Sequence, residues 1–111
     1  MIMACGDTRN GSVPGSDIAP GDWPNYARDL GASKYSPLDQ IDTDNVAGLE
    51  VAWSWESADY ALEDRFPELT VNNNYQVTPI KVGERLYVAT NLGQAAALDP
   101  ATGDQLWLFD P

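Results

Sequence analysis

The stretch Ala97–Trp107, "ALDPATGDQLW", decides how the rest of the chain is read. Pro100 sets φ at the entry of a turn and Gly103 permits positive φ at its exit, so "PATG" reverses the chain. Asp99 and Thr102 carry short oxygen-bearing side chains, which bond turn backbone groups that would otherwise lack partners. Before the turn, "QAAALD" (94–99) has helix propensity. It is too short for a helix and lies between turn signals, so it predicts a strand. After the turn, "DQLWLFD" (104–110) is the returning strand. A planar indole opposite small residues buries much area in a defined geometry. Trp107 is therefore expected to pack on Ala97 and the Thr102-Gly103 turn, largely out of water.

The rhythm extends upstream. "YQVTPIKV" (75–82) and "RLYVAT" (85–90) read as strands joined at Gly83-Glu84, and "NLG" (91–93) turns the chain again. Residues 76–109 thus predict an all-β, four-stranded antiparallel meander, with turns near Gly83, Gly93 and Gly103. That is the unit of a β-propeller blade. Further upstream, Val51–Trp55 predicts a strand with Val and two Trp on one face. Residues 56–74 predict a long loop, and Asn72–Asn74 a turn before the next strand. Residues 22–49 read as ordered loop, with one short helix at Asp44–Leu49 and Thr43 as its N-cap. The chain divides into a polar tether, 1–21, and the propeller part, 22–111.

Charge narrows the function classes. Six basic and 17 acidic residues give a net charge of -11. Nucleic-acid binding needs the opposite sign, and anionic lipid repels such a surface. The chain has no histidine, the commonest general base and metal ligand. Glu56, Asp59, Glu63, Asp64 and Glu68 do not follow the calcium-loop pattern and are expected to be solvated. No catalytic or metal-ligating residue is assigned. The single cysteine, Cys5, rules out an intrachain disulfide. "IMAC" (2–5) is similar to the end of a bacterial lipoprotein signal, which makes Cys5 a lipidation candidate. The apolar core of such a signal is not present upstream, so an incidental cysteine at a frayed terminus is the other reading.

The motif of Ala97, Asp99, Thr102, Gly103 and Trp107 resembles the tryptophan docking motif of quinoprotein dehydrogenases, which use pyrroloquinoline quinone (PQQ). "DWPNYARDLGASKYSPLDQIDTDNVAGLEVAW" (22–53) is similar to the opening of the same enzymes, and "QVTPIKVGERLYVAT" (76–90) to their first full blade. The likeness is strongest to the membrane-bound glucose, quinate and shikimate branch. One departure is "YARDLGASKY", where relatives usually carry Tyr-Gly and a second Gly. The resemblance implies an eight-bladed propeller whose tryptophans stack between blades, with PQQ and Ca²⁺ at its centre. It implies a small alcohol or sugar substrate, a quinone or cytochrome electron acceptor, and a periplasmic location with a possible lipid anchor in the membrane.

The resemblance also implies a cofactor contact. Relatives place a Glu three residues before the Pro of the first blade strand, and this chain has Gln76 there. Gln keeps an acceptor and adds a donor but loses the charge. Thr78 is a second candidate on the same face. The other reading of Gln76 is a polar residue meeting solvent. About one blade is present, and repeat folds need about three or more units. The chain is therefore expected to be the N-terminal fragment of a longer dehydrogenase, inactive alone. The rival reading is a non-catalytic propeller lipoprotein serving as a scaffold in outer-membrane protein assembly. The opening segment 22–53 speaks for the dehydrogenase.

Overall fold

A computed structural model describes residues 17–72 and 74–111. Cys5 and nearly all of the tether lie outside the described residues. The meander is present as expected. Strands β1 (Ile80–Val82), β2 (Arg85–Ala89), β3 (Ala95–Leu98) and β4 (Gln105–Phe109) form one sheet in chain order, every neighbouring pair antiparallel. Gly83, Gly93 and Gly103 occupy its three turns with φ of 57, 89 and 78°. Residues of the "AAAL" run are strand, so context overrides their helix propensity. Between Ala97 and Leu98 the register shifts: Ala97 faces Trp107 but Leu98 faces Gln105, leaving Leu106 as the extra residue of a bulge.

The two faces of the sheet differ. Leu86 pairs with Leu98 and Val88 with Ala96, so these four share one face. Trp53 and Trp55 pack over them and close the small core. On the opposite face Tyr87, Ala97 and Trp107 stand in one cross-strand row. The rings of Tyr87 and Trp107 lie 6.1 Å apart, centroid to centroid, and Ala97 beneath them is fully buried. A larger side chain at 97 would hold those rings apart.

Four sequence expectations need correction. The first strand begins at Ile80, not at Tyr75. Residues 75–79 are unpaired, and Pro79, which lacks an N–H, stands just before the ladder. Residues Val51–Trp55 form no ladder. Their tryptophans meet the sheet through side chains, while Val51 is 86% exposed. The expected helix at Asp44–Leu49 is a single 3-10 turn, Val46–Gly48. Thr43 does not cap it. The residue at its N-cap is Asn45, with no side-chain cap bond, and the Asp42 carboxylate shapes the turn just before it by accepting from the N–H of Asp44 and Asn45 at 2.9 and 3.0 Å. Within the expected loop 56–74 lies a helix, α1 (Asp59–Arg65). Ala61, Leu62, Glu63 and Arg65 favour helix, and Asp59 and Arg65 suit its first and last turns electrostatically.

The segment before these elements is tied to β1. Trp23 and Lys81 exchange backbone bonds of 2.8 and 3.1 Å. The Asp22 carboxylate accepts from Lys81 Nζ at 3.2 Å and from Gly83 N–H at 3.0 Å. The loop that follows carries three non-glycine residues with positive φ: Arg28 (72°), Ala32 (55°) and Lys34 (52°). They fall in "YARDLGASKY", the stretch that departs from the resemblance. The Ser33 hydroxyl donates to the Asp29 carboxylate and holds it below the ordinary carboxylate range.

Candidate functional site

The motif turn is built by its own polar side chains. Asp99 Oδ1 accepts from Ala101 N–H at 2.7 Å and Thr102 N–H at 3.2 Å. The Asp99 carbonyl accepts from Gly103 N–H at 2.8 Å, and Asp99 N–H donates to the Asp104 carbonyl at 2.9 Å. Thr102 Oγ1 accepts from Asp104 N–H at 3.2 Å and donates to the Asp104 carboxylate at 2.8 Å. These are the bonds expected of an Asp and a Thr at those offsets.

The ring seated on the turn differs from the one expected. A Cβ built on Gly103 would lie 2.5 Å from Cε3 of Trp53. The Trp53 indole N–H donates to the Pro100 carbonyl at 3.1 Å. Trp53 therefore fills the space that Gly103 leaves, and Trp107 does not. Trp107 keeps its contact row with Ala97 and Tyr87 but is 40% exposed, not largely out of water. The chain carries a turn with a docked indole and, on β4, a second indole with open surface around it. Sequence reading missed Trp53 because its partner turn is 47 residues away. The pairing of "AW" at 52–53 with the later motif was the only available signal.

The two cofactor candidates lie in the stretch before β1. Gln76 is exposed, and its amide Nε2 donates to Asn74 Oδ1 at 3.0 Å. Asn74 N–H in turn donates to Asn72 Oδ1 at 2.8 Å. With its nitrogen engaged, Gln76 offers its carbonyl oxygen and one remaining N–H to a ligand. Thr78 is half-buried. These groups suit a hydrogen-bonding contact to PQQ and supply no charge to pair with it. Among the described residues no cluster of three or more His, Cys, Asp or Glu is arranged to hold a metal ion. The motif turn and the Gln76 stretch are separate features. The former ends at the β3–β4 turn, whereas Gln76 precedes the end of β1 that adjoins the β2–β3 turn.

At that same end the structure holds a cleft of about 400 Å³ lined by Trp55, Glu56, Ser57 and Tyr60 on one side and by Val71, Asn72, Tyr75 and Asn91 on the other. The Asn91 amide donates to the Asn72 carbonyl at 2.6 Å and joins two of its walls. Next to it, Asp59 is 1% exposed, which corrects the expectation that all the acids of this region are solvated. One Asp59 oxygen accepts from Leu92 N–H at 3.2 Å, and the other has no partner among the described residues. That bond ties α1 to the β2–β3 turn across 33 residues, so no local pattern could have signalled it.

Tyr75 donates its hydroxyl to the Ala89 carbonyl. Burial, and then the Asp59 charge, raise the Tyr75 phenol above its ordinary value of 10.0. The folded chain therefore holds this proton to higher pH than the unfolded chain. The stability it supports is whole below about pH 10 and is lost as pH rises through the folded value. Denaturant midpoints are expected to fall in that alkaline window, and Tyr75→Phe to flatten part of the fall. At neutral pH the same variant loses about 0.5–1.5 kcal/mol with the hydrogen bond. Parallel alkaline curves for the two proteins would refute this reading.

Comparison with known proteins bears on both features. Residues 23–111 match the family model described as "PQQ: Glucose/ethanol/alcohol dehydrogenase, beta-propeller domain". The chain is 43% identical over 100 residues to quinoprotein glucose dehydrogenase A of Acinetobacter calcoaceticus, covering 90% of this chain and 12% of that protein. It is 40% identical over 92 residues to the dehydrogenase subunit of the quinone alcohol dehydrogenase of Gluconobacter oxydans, covering 83% of this chain and 11% of that one. The glycerol dehydrogenase large subunit of Gluconobacter thailandicus matches at 37% over 89 residues, covering 80% of this chain and 12% of that one. The chain thus spans about one eighth of the length of these relatives.

Proposed function

Because the chain belongs to the PQQ-dependent glucose/ethanol/alcohol dehydrogenase β-propeller family, we propose that it is the N-terminal part of a dehydrogenase that oxidises an alcohol, sugar or polyol. Electrons pass onward to a quinone or cytochrome acceptor. The observation that carries this reading is the collinear match from Trp23 to Pro111, together with a motif turn whose polar bonds and docked indole are formed. When bound, PQQ supplies the acceptor for the hydride of the carbinol carbon. This chain's own contribution is to bind and orient. Gln76 offers its amide to a carboxylate or carbonyl of PQQ, Asn74 holds that amide in place, and Thr78 adds a hydroxyl nearby. The Ca²⁺ ligands and the base that takes the substrate proton belong to other parts of the protein. The 111 residues alone are therefore inactive.

Two further assignments complete the reading. Trp107 does for a following blade what Trp53 does for this one: its open face receives the next turn. Cys5 receives lipid and residues 6–21 hold the propeller off the membrane on its periplasmic side.

The test is dye-linked oxidation of glucose, glycerol and ethanol by the protein as its gene encodes it, with PQQ and Ca²⁺ supplied. PQQ-dependent turnover is expected with at least one substrate, and none with the 111-residue chain. Gln76→Ala should weaken PQQ binding about tenfold, the loss of one hydrogen bond to a charged or carbonyl group, read by the cofactor's absorbance change. PQQ-independent activity, or none with any alcohol or sugar, would sink the proposal. Cell fractionation of Cys5→Ser tests the anchor; unchanged membrane association would remove Cys5 from it.

A further inference from the structure

We propose that Asn91 is a positioning residue for the cofactor contact, acting through Asn72 and Asn74 to set the place and the orientation of the Gln76 amide. This inference rests on the reading of Gln76 given above. Residues 75–79 join no ladder, so backbone pairing does not hold Gln76 in place. A glutamine in such a stretch must give up backbone and side-chain freedom when it meets a ligand. Side chains supply the missing restraint. Asn91, in the β2–β3 turn, donates its amide to the Asn72 carbonyl at 2.6 Å. The Asn72 side chain accepts from the Asn74 backbone N–H at 2.8 Å. The Asn74 side chain accepts from the Gln76 amide nitrogen at 3.0 Å. Three bonds in series thus run from a turn of the sheet to the end of the Gln76 side chain.

The last of these bonds does more than tether. A side-chain amide can turn over about its final torsion, exchanging oxygen for nitrogen at nearly the same shape. With the Gln76 oxygen turned toward Asn74 Oδ1, two acceptors would meet and the bond would be lost. Asn74 therefore selects the arrangement with nitrogen toward itself, which leaves the carbonyl oxygen and one N–H for the ligand. A glutamate at 76 could not use this device, because an ionised carboxylate has no proton to donate. Other elements fix both ends of the series. Asp59 of α1 accepts from Leu92 N–H at 3.2 Å and holds the turn beside Asn91. Glu63 of α1 accepts from Val71 N–H at 3.4 Å and holds the residue before Asn72. Tyr75, next to Gln76, donates its hydroxyl to the Ala89 carbonyl. A contact ordered in this way before the ligand arrives costs less to form.

The test has two arms. In the first, the 111-residue chain without cofactor is compared with its Asn91→Ala and Asn91→Asp variants by proton–nitrogen NMR. Asn91 is exposed, and Asn91→Asp removes the donor while keeping the side chain's size, so packing is spared. Both variants should move the Gln76 side-chain amide signals toward those of a free glutamine and speed their exchange with solvent. The Trp53 indole signal should stay in place and report an intact fold. In the second arm, the PQQ affinity of the protein as its gene encodes it is read by the cofactor's absorbance change. Asn91→Ala should weaken binding about fivefold, less than the roughly tenfold loss expected of Gln76→Ala. Because Asn91 acts through Gln76, the double variant should lose about tenfold, as Gln76→Ala does alone, and not the roughly fiftyfold of independent sites. With Gln76→Glu already in place, Asn91→Ala should change affinity less than about twofold, since the last bond of the series is gone. Additive losses, or Gln76 amide signals unmoved by both Asn91 variants, overturn the proposal and leave the Gln76 contact standing. If Gln76→Ala itself leaves PQQ affinity unchanged, the cofactor reading fails, and the role of Asn91 in it falls even where the amide signals move.

Discussion

Trp53→Ala is expected to destabilise the chain by about 3–5 kcal/mol, the range for removing a large aromatic from a packed site. The reason is the number of structures that meet on one ring. Trp53 covers the Val88, Ala96 and Leu98 cluster, fills the space above Gly103 and donates to the Pro100 carbonyl. Its loss opens the core and leaves Trp55 as the one tryptophan holding the 51–55 segment on the sheet. Trp107→Ala is the informative control. That ring is 40% exposed and touches one row, so its removal should cost about 1–2 kcal/mol, less than half a full aromatic burial. Urea midpoints of the two variants decide the matter. Equal losses, or a larger loss for Trp107, would show that Trp53 is not the docked ring of this turn.

The second large effect comes from the other side of the same contact. Gly103→Ala forces a residue with a side chain to φ of 78°, which costs about 1–2 kcal/mol. It also sets a Cβ 2.5 Å from the indole of Trp53, an overlap that costs about 1–3 kcal/mol more to relieve. The two terms separate in a double-mutant cycle. With Trp53 already replaced by Ala, Gly103→Ala should cost only the backbone term, leaving a coupling of about 1–3 kcal/mol between the positions. Additive losses would mean that the indole and the turn do not press on each other. Gly83→Ala serves as reference, since its φ is 57° and its Cβ would meet open space.

What could be read in advance follows from how local each feature is. The strands and turns of 80–109 were legible because Gly83, Gly93 and Gly103 mark the reversals and the alternation lies between them. The bonds of Asp99 and Thr102 span at most five residues and were legible for the same reason. The failures are long-range. Asp59 looked like one more solvated acid because Leu92, which makes its burial tolerable, lies 33 residues on. Residues 59–65 contain helix formers, but the surrounding acids and Pro67 read more strongly as loop. The motif alone points to Trp107 as the docked ring, and only the packing assigns Trp53 to the turn and leaves Trp107 open. The cleft was not legible at all, since its walls come from three separated segments.

The loop at 28–34 also says something about which sequences could replace this one. Arg28, Ala32 and Lys34 sit where glycine is at ease, and each is held there at a cost of about 1 kcal/mol. Drift toward glycine at Ala32 and Lys34 would ease the backbone and sacrifice only exposed side chains, with the extra freedom of the unfolded chain offsetting part of the gain. Arg28 is different, being 6% exposed and donating to the Asp22 carbonyl, so the same change there forfeits a buried side chain. The three positions are therefore unequal in mutational tolerance. Lineages selected for stability alone should acquire glycine first at 32 and 34 and last at 28. A descendant that keeps Arg28 has kept the brace between the loop and the Asp22 latch, at the expense of backbone ease.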